Sequence, residues 1–389
     1  MKKKPPIIDS SREQIIHLTG IIKNNRSVIS KKTITIGFDG FIDSIVKIIR
    51  NKQEQQPASL FKKIRELGEY ITEKGDASLS LELEEISVKA GGNMPNLANA
   101  LGRLGLTVNC IGALGYPHTH AIFKTLPPGC HLYSFADPGT ATAFEFTDGK
   151  IMFAQMGMLN KLGWDAVKNI IGIDTLVRLY KECDLLCIVN WSEIDASTDI
   201  WKGLLKDVLP EYSITGEKKI AFFDLSDCSK RSNTAIEEAL TLLTQFTKYT
   251  KVIVGLNKNE AGQIYRVLFG RTADKDLQYL GDHIFEKLKV DTLLLHSSKE
   301  AIAFNEEGSF ATRSFYIPDP AISTGAGDNF NAGFCVANLL KLDPGLSVVF
   351  ANSVAALYIK TGTSPEISDV VNFLEGMEKS KEHYATENL

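Results

Sequence analysis

The stretch ISTGAGDNFNAGF (322–334) sets a carboxylate, Asp328, directly behind Gly325, Ala326 and Gly327. An apolar helical pattern at Phe330, Phe334, Val336 and Leu339 follows. Small residues let a ligand approach the backbone, and the N–H groups that open a helix are unpaired donors at the positive end of its dipole, so an anion can bind there. An acid would repel a phosphate resting against it, so Asp328 suits the other reactant. It could take the proton of a hydroxyl that attacks a phosphoryl group held by those donors. Capping of the helix accounts for an Asp there equally well. Two other phosphate cradles do not fit. No stretch reads G-x-x-x-x-G-K-[ST], and GAGDNF puts Phe330 at the third small position of a dinucleotide fingerprint.

Three further groups carry chemistry. In NKNEA, directly after KVIVGL, Asn257 and Glu260 form a capping pair or hold a hydrated Mg²⁺ at a strand's carboxyl end. GFDGFID offers Asp39 and Asp43, which could grip sugar hydroxyls or start turns; the D-x-x-x-D spacing is not that of aspartyl-phosphate hydrolases. In AGGNMPNLANALGRLG, Gly91 and Gly92 permit close backbone approach while Asn93 and Asn96 present amides to a polar ligand, or else make a turn and a cap. His118 and His120 flank no third ligand, so a metal there is disfavoured.

These residues need elements to hold them. A chain of 389 residues with 44% apolar and 23% charged residues has ordinary globular composition, and a formal charge of -4 gives no footprint for nucleic acid or a membrane surface. Small diffusible ligands are expected. The six cysteines form no C-x-x-C pair and read as reduced core thiols of a cytoplasmic protein. The start, MKKKPPIIDSS, lacks the apolar core of a signal peptide, and no run suits a membrane helix. SSRE (10–13) predicts a capping box ahead of an N-terminal helix, an extension over 1–32.

From 33 onward the spacing predicts one α/β domain with a small β lid. TITIGF (33–38) reads as a strand, and lid strands are expected over about 43–50, 78–90 and 130–156, with a helix-bearing insertion at 51–77. TATAFEFTDGKIMFA alternates around Asp148-Gly149, a hairpin signal. Beyond residue 165, DLLCIVN, KIAFFDL, KVIVGLN and DTLLLHS read as buried parallel strands of a doubly wound sheet flanked by helices, with ligands at their carboxyl ends.

The order GFDGFID, GGNMPN, NKNE, STGAGD resembles the ribokinase-like (PfkB) carbohydrate kinases over most of residues 33–375. The resemblance implies a ribokinase-like fold with a mostly parallel sheet and a lid, ATP and Mg²⁺ as cofactors, and a sugar as acceptor. It assigns Asp328 as base and Gly325, Ala326 and Gly327 as anion hole, with Asp43 (or its rival Asp39), Gly92, Asn93 and Asn96 around the substrate. Asn257 and Glu260 would organise Mg²⁺ and phosphate, Glu260 through water. Thr324, Ser298, Asn352, Gly362 and Thr363 fall on the nucleotide side. Homodimers through the lid are also implied. Ile322 stands where the family has an acid, and HSSKEA (296–301) lacks the usual glycines. A nucleoside kinase of the same fold and a non-catalytic ligand sensor are the alternatives; a dinucleotide oxidoreductase is disfavoured by Phe330.

Overall fold

The computed structural model describes residues 11–52, 57–157, 159–211, 217–272, 274–322 and 324–379. Among the described residues, fourteen strands fall into two sheets: β1 (Thr33–Phe38), β2 (Phe41–Asn51), β3 (Ser59–Leu60), β4 (Glu82–Gly91), β5 (Thr107–Gly112), β6 (Cys130–Ser134), β7 (Gly139–Phe146), β8 (Gly149–Gln155), β9 (Leu185–Val189), β10 (Ile220–Asp224), β11 (Lys251–Asn257), β12 (Thr292–His296), β13 (Glu300–Asn305) and β14 (Gly308–Arg313). The larger sheet runs β14-β13-β12-β11-β10-β9-β1-β5-β6 and is parallel from β12 to β6, with β13 and β14 added antiparallel.

The continuous apolar runs have a direct cause. Neighbouring residues on a strand point to opposite faces, and here both faces are covered by helices. Cys187, Phe222, Ile253 and Leu294 enter one core, whereas Ile188, Phe223, Val254 and Leu295 enter the other. Each of the four expected strands is present at the expected place.

The chain lays down β1, β5 and β6 in one direction and then returns to β9 to build the other way, so the order reverses between β1 and β9. In a sheet of this kind the carboxyl ends of the two strands at the reversal flank the crevice where a ligand usually binds.

The smaller sheet is the lid. β2 pairs with β4 along one side and with β7 and β3 along the other, and β7 pairs with β8. The hairpin loop is Thr147-Asp148, with Gly149 facing Phe146. Residues 130–134, expected in the lid, instead form β6 and pair in parallel with β5 at the edge of the large sheet. Their register (Cys110 opposite Leu132) extends the body, and the lid resumes only at Gly139.

The insertion has a structural task. Its helix, Ile64–Glu73, rests on the lid, where Phe61 and Leu67 bury against Ile48 with Phe144, Phe146 and Ile151 around them. Asp148 Oδ1 accepts from the Ile64 N–H at 3.0 Å, so the hairpin tip caps this helix from across the sheet. The lid therefore has a small core of its own.

The N-terminal capping box forms one residue later than expected. Ser11 Oγ accepts from the Gln14 N–H at 3.2 Å, and Gln14 Oε1 from the Ser11 N–H at 2.9 Å; Ser10 lies outside the described residues. The resulting helix, Arg12–Asn24, inserts Ile15, Leu18 and Ile22 into the core shared with Ile34, Ile36 and Val371. It packs along the C-terminal helix Ile367–Lys379. Since Leu18 is fully buried, Leu18→Ala should lower the unfolding free energy by about 2–5 kcal/mol in denaturant titration. An unchanged midpoint would make the helix a detachable appendage.

Candidate active site

The crevice is built around a buried acid. Asp39, directly after β1, is fully buried and uses both oxygens: Oδ2 accepts from the Asn93 N–H at 2.8 Å and from Asn190 Nδ2 at 2.6 Å, and Oδ1 from the Met94 N–H at 2.7 Å. It thereby caps the helix Asn93–Arg103 in place of Gly92, the N-cap residue, which has no side chain. Burial raises its carboxyl to about 7, against the pull of these donors. Asp39, expected as a rival of Asp43 for the sugar, is thus committed to the backbone.

Asp43 lies on β2 and remains partly exposed. Burial raises its pKa first, with Lys89 and Lys150 opposing. The two glycines of AGGN are cut to these two acids. A Cβ on Gly91 would fall 2.1 Å from Asp43 Cγ, and one on Gly92 would fall 2.3 Å from Asp39 Oδ2. Gly92 also has φ +94°, a conformation that favours glycine.

The helix so capped aims two amides at the crevice. Asn93 Nδ2 donates to Ser226 Oγ at 2.8 Å. Asn96, three residues on and so on the same face, hydrogen-bonds the carboxylate of Asp328. Asp328 sits in the first turn of the helix Ala326–Leu339, whose N-cap is Gly325 at φ 89° and which no side chain caps. A Cβ on Gly325 would come within 2.7 Å of Tyr358 Oη, which itself donates to the Thr324 carbonyl at 2.7 Å. The turn therefore tolerates nothing larger than glycine there, and the first N–H groups of the helix stay open. Burial pushes the Asp328 carboxyl well above its usual range; the nearby charges of Asp224, Asp39 and Glu260 add to that, and only Asn96 opposes it.

At the end of β11 the capping box is real: Glu260 Oε2 accepts from the Asn257 N–H at 2.8 Å, and Asn257 Oδ1 from the Glu260 N–H at 3.0 Å. Glu260 is nonetheless buried, and burial followed by the charge of Asp224 raises it to about 8. Among the described residues no group of three His, Cys, Asp or Glu has the arrangement of a metal site.

A cavity of about 510 Å³ lies beside the Gly-Ala-Gly turn. Asn257, His296, Ser298, Ala326, Gly327 and Asn352 are among its walls. His296 lies against Phe330, with ring centroids 4.9 Å apart, and burial lowers it to about 4, so it is a neutral wall. Gly362 and Thr363, expected with the nucleotide, do not line this cavity. Gly362 is the left-handed C-cap of the helix Pro344–Thr361, and the Thr363 N–H donates to Thr361 Oγ1 at 3.3 Å. A larger cavity of about 760 Å³ at the opposite, amino ends of the strands is lined by Lys32, Asp184, Glu217 and Lys341. Lys32 pairs with Asp184 and Lys341 with Glu217, and none of the residues above lies there.

Several members of the site carry no motif. Asn190 and Ser226 follow β9 and β10 with left-handed φ of 60° and 59°, and Asn331 Nδ2 donates to Asp224 Oδ2 at 2.9 Å. The buried Asn190 Oδ1 has no hydrogen-bond partner. For Asn190 and Ser226 the advance signal is position, one or two residues past a buried strand on the ligand side of the sheet, whereas Asn331 lies within the stretch that carries Asp328.

Known proteins similar to this chain give its family and its fold. The model of the prokaryotic ketohexokinase family matches residues 18–377. A ketohexokinase of Haloferax volcanii is 28% identical over 348 residues, covering 88% of this chain and 91% of that protein. Among solved structures, Arabidopsis thaliana ribokinase in complex with ribose and ATP superposes with a TM-score of 0.61 at 17% identity, covering 88% of this chain and 98% of that one. A putative ribokinase II from E. coli in complex with ATP and Mg²⁺ gives 0.59 at 15%, covering 89% and 99%. At such identities the two structures speak for the fold, a ribokinase-like one. The family match, spanning most of the sequence, goes further: this chain belongs to the prokaryotic ketohexokinase family and is an ATP-dependent carbohydrate kinase.

Proposed function

We propose that the chain transfers the γ-phosphoryl group of ATP to a hydroxymethyl group of a ketohexose, with Asp328 as the base. The observation that carries this reading is the pairing of Asp328, its proton affinity raised by burial and neighbouring acids, with an uncapped Gly-Ala-Gly helix start. A base with raised proton affinity works near neutral pH, and open N–H donors suit the charge that develops on the phosphoryl oxygens. The hydroxyl oxygen attacks the γ-phosphorus and the bond to the bridging oxygen of ADP breaks. The hydroxyl proton passes to Asp328. The relative named ketohexokinase supports a ketose as acceptor.

Asp43 and Asn93 hold the sugar, and Asn96 steadies the base. Ser298, Thr324 and Asn352 lie on the nucleotide side, the first and last as walls of the cavity. Gly362 and Thr363, outside those walls, stay on the nucleotide side by resemblance alone. Glu260, buried at the start of the helix that follows β11, would hold Mg²⁺ through water rather than by direct ligation, in keeping with the absence of a three-ligand cluster among the described residues. Mg²⁺ supplies charge neutralisation on the phosphates. A homodimer would use the lid's edges, where Leu83, Ile86 and Val88 on β4 and Met152 and Phe153 on β8 are exposed, because the face toward the insertion is already covered.

Fructose, with ATP consumption as the readout, is the direct test; no turnover with any ketohexose would sink the reading. Asp328→Asn keeps the size and removes the base, and should lower kcat by roughly 10² to 10⁴ with ATP affinity retained. A near wild-type rate would reduce Asp328 to a helix cap.

Asp43→Ala should weaken sugar binding by about 1.5–3 kcal/mol, seen mainly in KM. Gly91→Ala should act in the same direction, because the new methyl would fall on the Asp43 carboxylate. If both variants kept the wild-type KM, the acceptor would bind elsewhere.

Glu260→Gln preserves a residue suited to the capping box. It should raise the Mg²⁺ concentration for half-maximal rate while the melting temperature changes little. Lost stability at an unchanged Mg²⁺ requirement would leave Glu260 as a cap alone.

A further inference from the structure

Lys150 begins the outgoing strand of the lid hairpin, directly after Gly149, and reaches back to the body. Its Nζ donates to Thr324 Oγ1 at 2.8 Å, across 174 positions of sequence. Thr324 immediately precedes the glycine that opens the anion hole. On β8, Lys150 pairs with Glu145 of β7, which shares a face with Ala143 and Ala141; Ala141 in turn is opposite Asp43 of β2. The lid thus presents an acid for the acceptor and a cation for the turn on one surface.

Three features set this lysine apart from an isolated surface charge. It is exposed on its strand, yet desolvation lowers its pKa; the charges of Asp43 and Glu145 oppose this and that of Lys89 adds to it. Its partner in the body is a neutral hydroxyl, which leaves the charge itself unmatched at that end. An ammonium also has three donors to spend, of which Thr324 takes one. On the other side of the turn, Asp328 stands close enough to Asp224, Asp39 and Glu260 for their charges to act on it. A phosphoryl group arriving there meets several carboxylates, and a mobile cation on the acceptor side would offset them.

We propose that Lys150 is a catalytic residue carried by the lid, which binds an equatorial oxygen of the phosphoryl group during transfer and rests on Thr324 Oγ1 when that group is absent. The inference builds on the kinase reading above and adds a residue to it. Lys150 neither gives nor takes a proton: the acceptor proton passes to Asp328 and the ammonium only follows the charge. Its attraction grows as negative charge collects between the two oxygens, so it favours the transition state over the bound sugar.

The test compares Lys150→Met and Lys150→Arg with the wild-type protein. Removing the charge should lower kcat with fructose by about 10²-fold while the fructose dissociation constant stays within about twofold. Arginine, which keeps the charge, should recover part of the rate. A sugar-independent arm uses Mg²⁺, ADP and aluminium fluoride as a phosphoryl mimic. Lys150→Met should weaken that complex by about tenfold or more and leave ADP alone unaffected. Unchanged kcat together with unchanged mimic affinity would overturn the proposal. So would an equal loss for fructose, ADP and mimic accompanied by a lower melting temperature, which would make Lys150 a strut of the lid. Should fructose fail as a substrate of the wild-type protein, the ketohexose reading falls, and the mimic arm still decides the role of Lys150.

Discussion

The site depends on one buried carboxylate and the N–H groups it accepts from. Asp39 stands between the last residue of β1 and the first strand of the lid, and the helix it caps begins directly after the lid's returning strand, β4. The first excursion of the chain into the lid, out along β2 and back along β4, therefore begins and ends at a single hydrogen-bonded point. Asn190 joins the same carboxylate from the end of β9, on the far side of the switch in strand order. Three donors offset the cost of burying the charge, though not wholly, since its carboxyl still lies near 7. The helix that carries Asn93 and Asn96 is thereby held from the body rather than from the lid.

Around that point the sequence collects acids that destabilise one another. Asp224 and Asp328 each have raised carboxyls, and Glu260 lies near 8, with burial the first cause in every case. Asn331, Asn96 and the Asn257 backbone relieve each in turn, but with neutral donors. Such an arrangement is costly in a resting protein and useful in one that binds a polyphosphate with a metal.

Much of this was legible in the sequence, and the reasons differ between parts. The parallel strands announce themselves because burial on both faces leaves uninterrupted apolar runs such as KIAFFDL. The glycines of AGGN and TGAGD stand out because a side chain of the fold already fills the space that a Cβ would need, Asp43 at Gly91 and Tyr358 at Gly325. Residues 130–134 were misplaced because a short edge strand and a lid strand carry the same local pattern, and only pairing with β5 separates them. Choosing between Asp39 and Asp43 needed the fold as well. Both follow the same strand, and which carboxylate meets backbone N–H groups depends on a helix more than fifty positions away. Lys150 and Asn190 were silent for the same reason: neither lies in a motif, and each gains its meaning from a partner brought near by the topology.

The insertion at 51–77 completes the logic of the lid. A four- or five-stranded sheet with both faces bare would be unstable, and packing one face against the active site would tie its stability to the closed position. Phe61 and Leu67 instead give the sheet a core that does not involve the body. The face toward the body is mixed: Ala141 and Ala143 are small, Ile45 and Met152 beside Ala143 are apolar, and Asp43, Lys89 and Lys150 are charged. The contact that this face makes with the body at Thr324 is polar. A polar contact is one that a bound sugar and phosphate can strengthen, so a sheet with its own core needs no apolar seam with the body to be drawn onto a substrate.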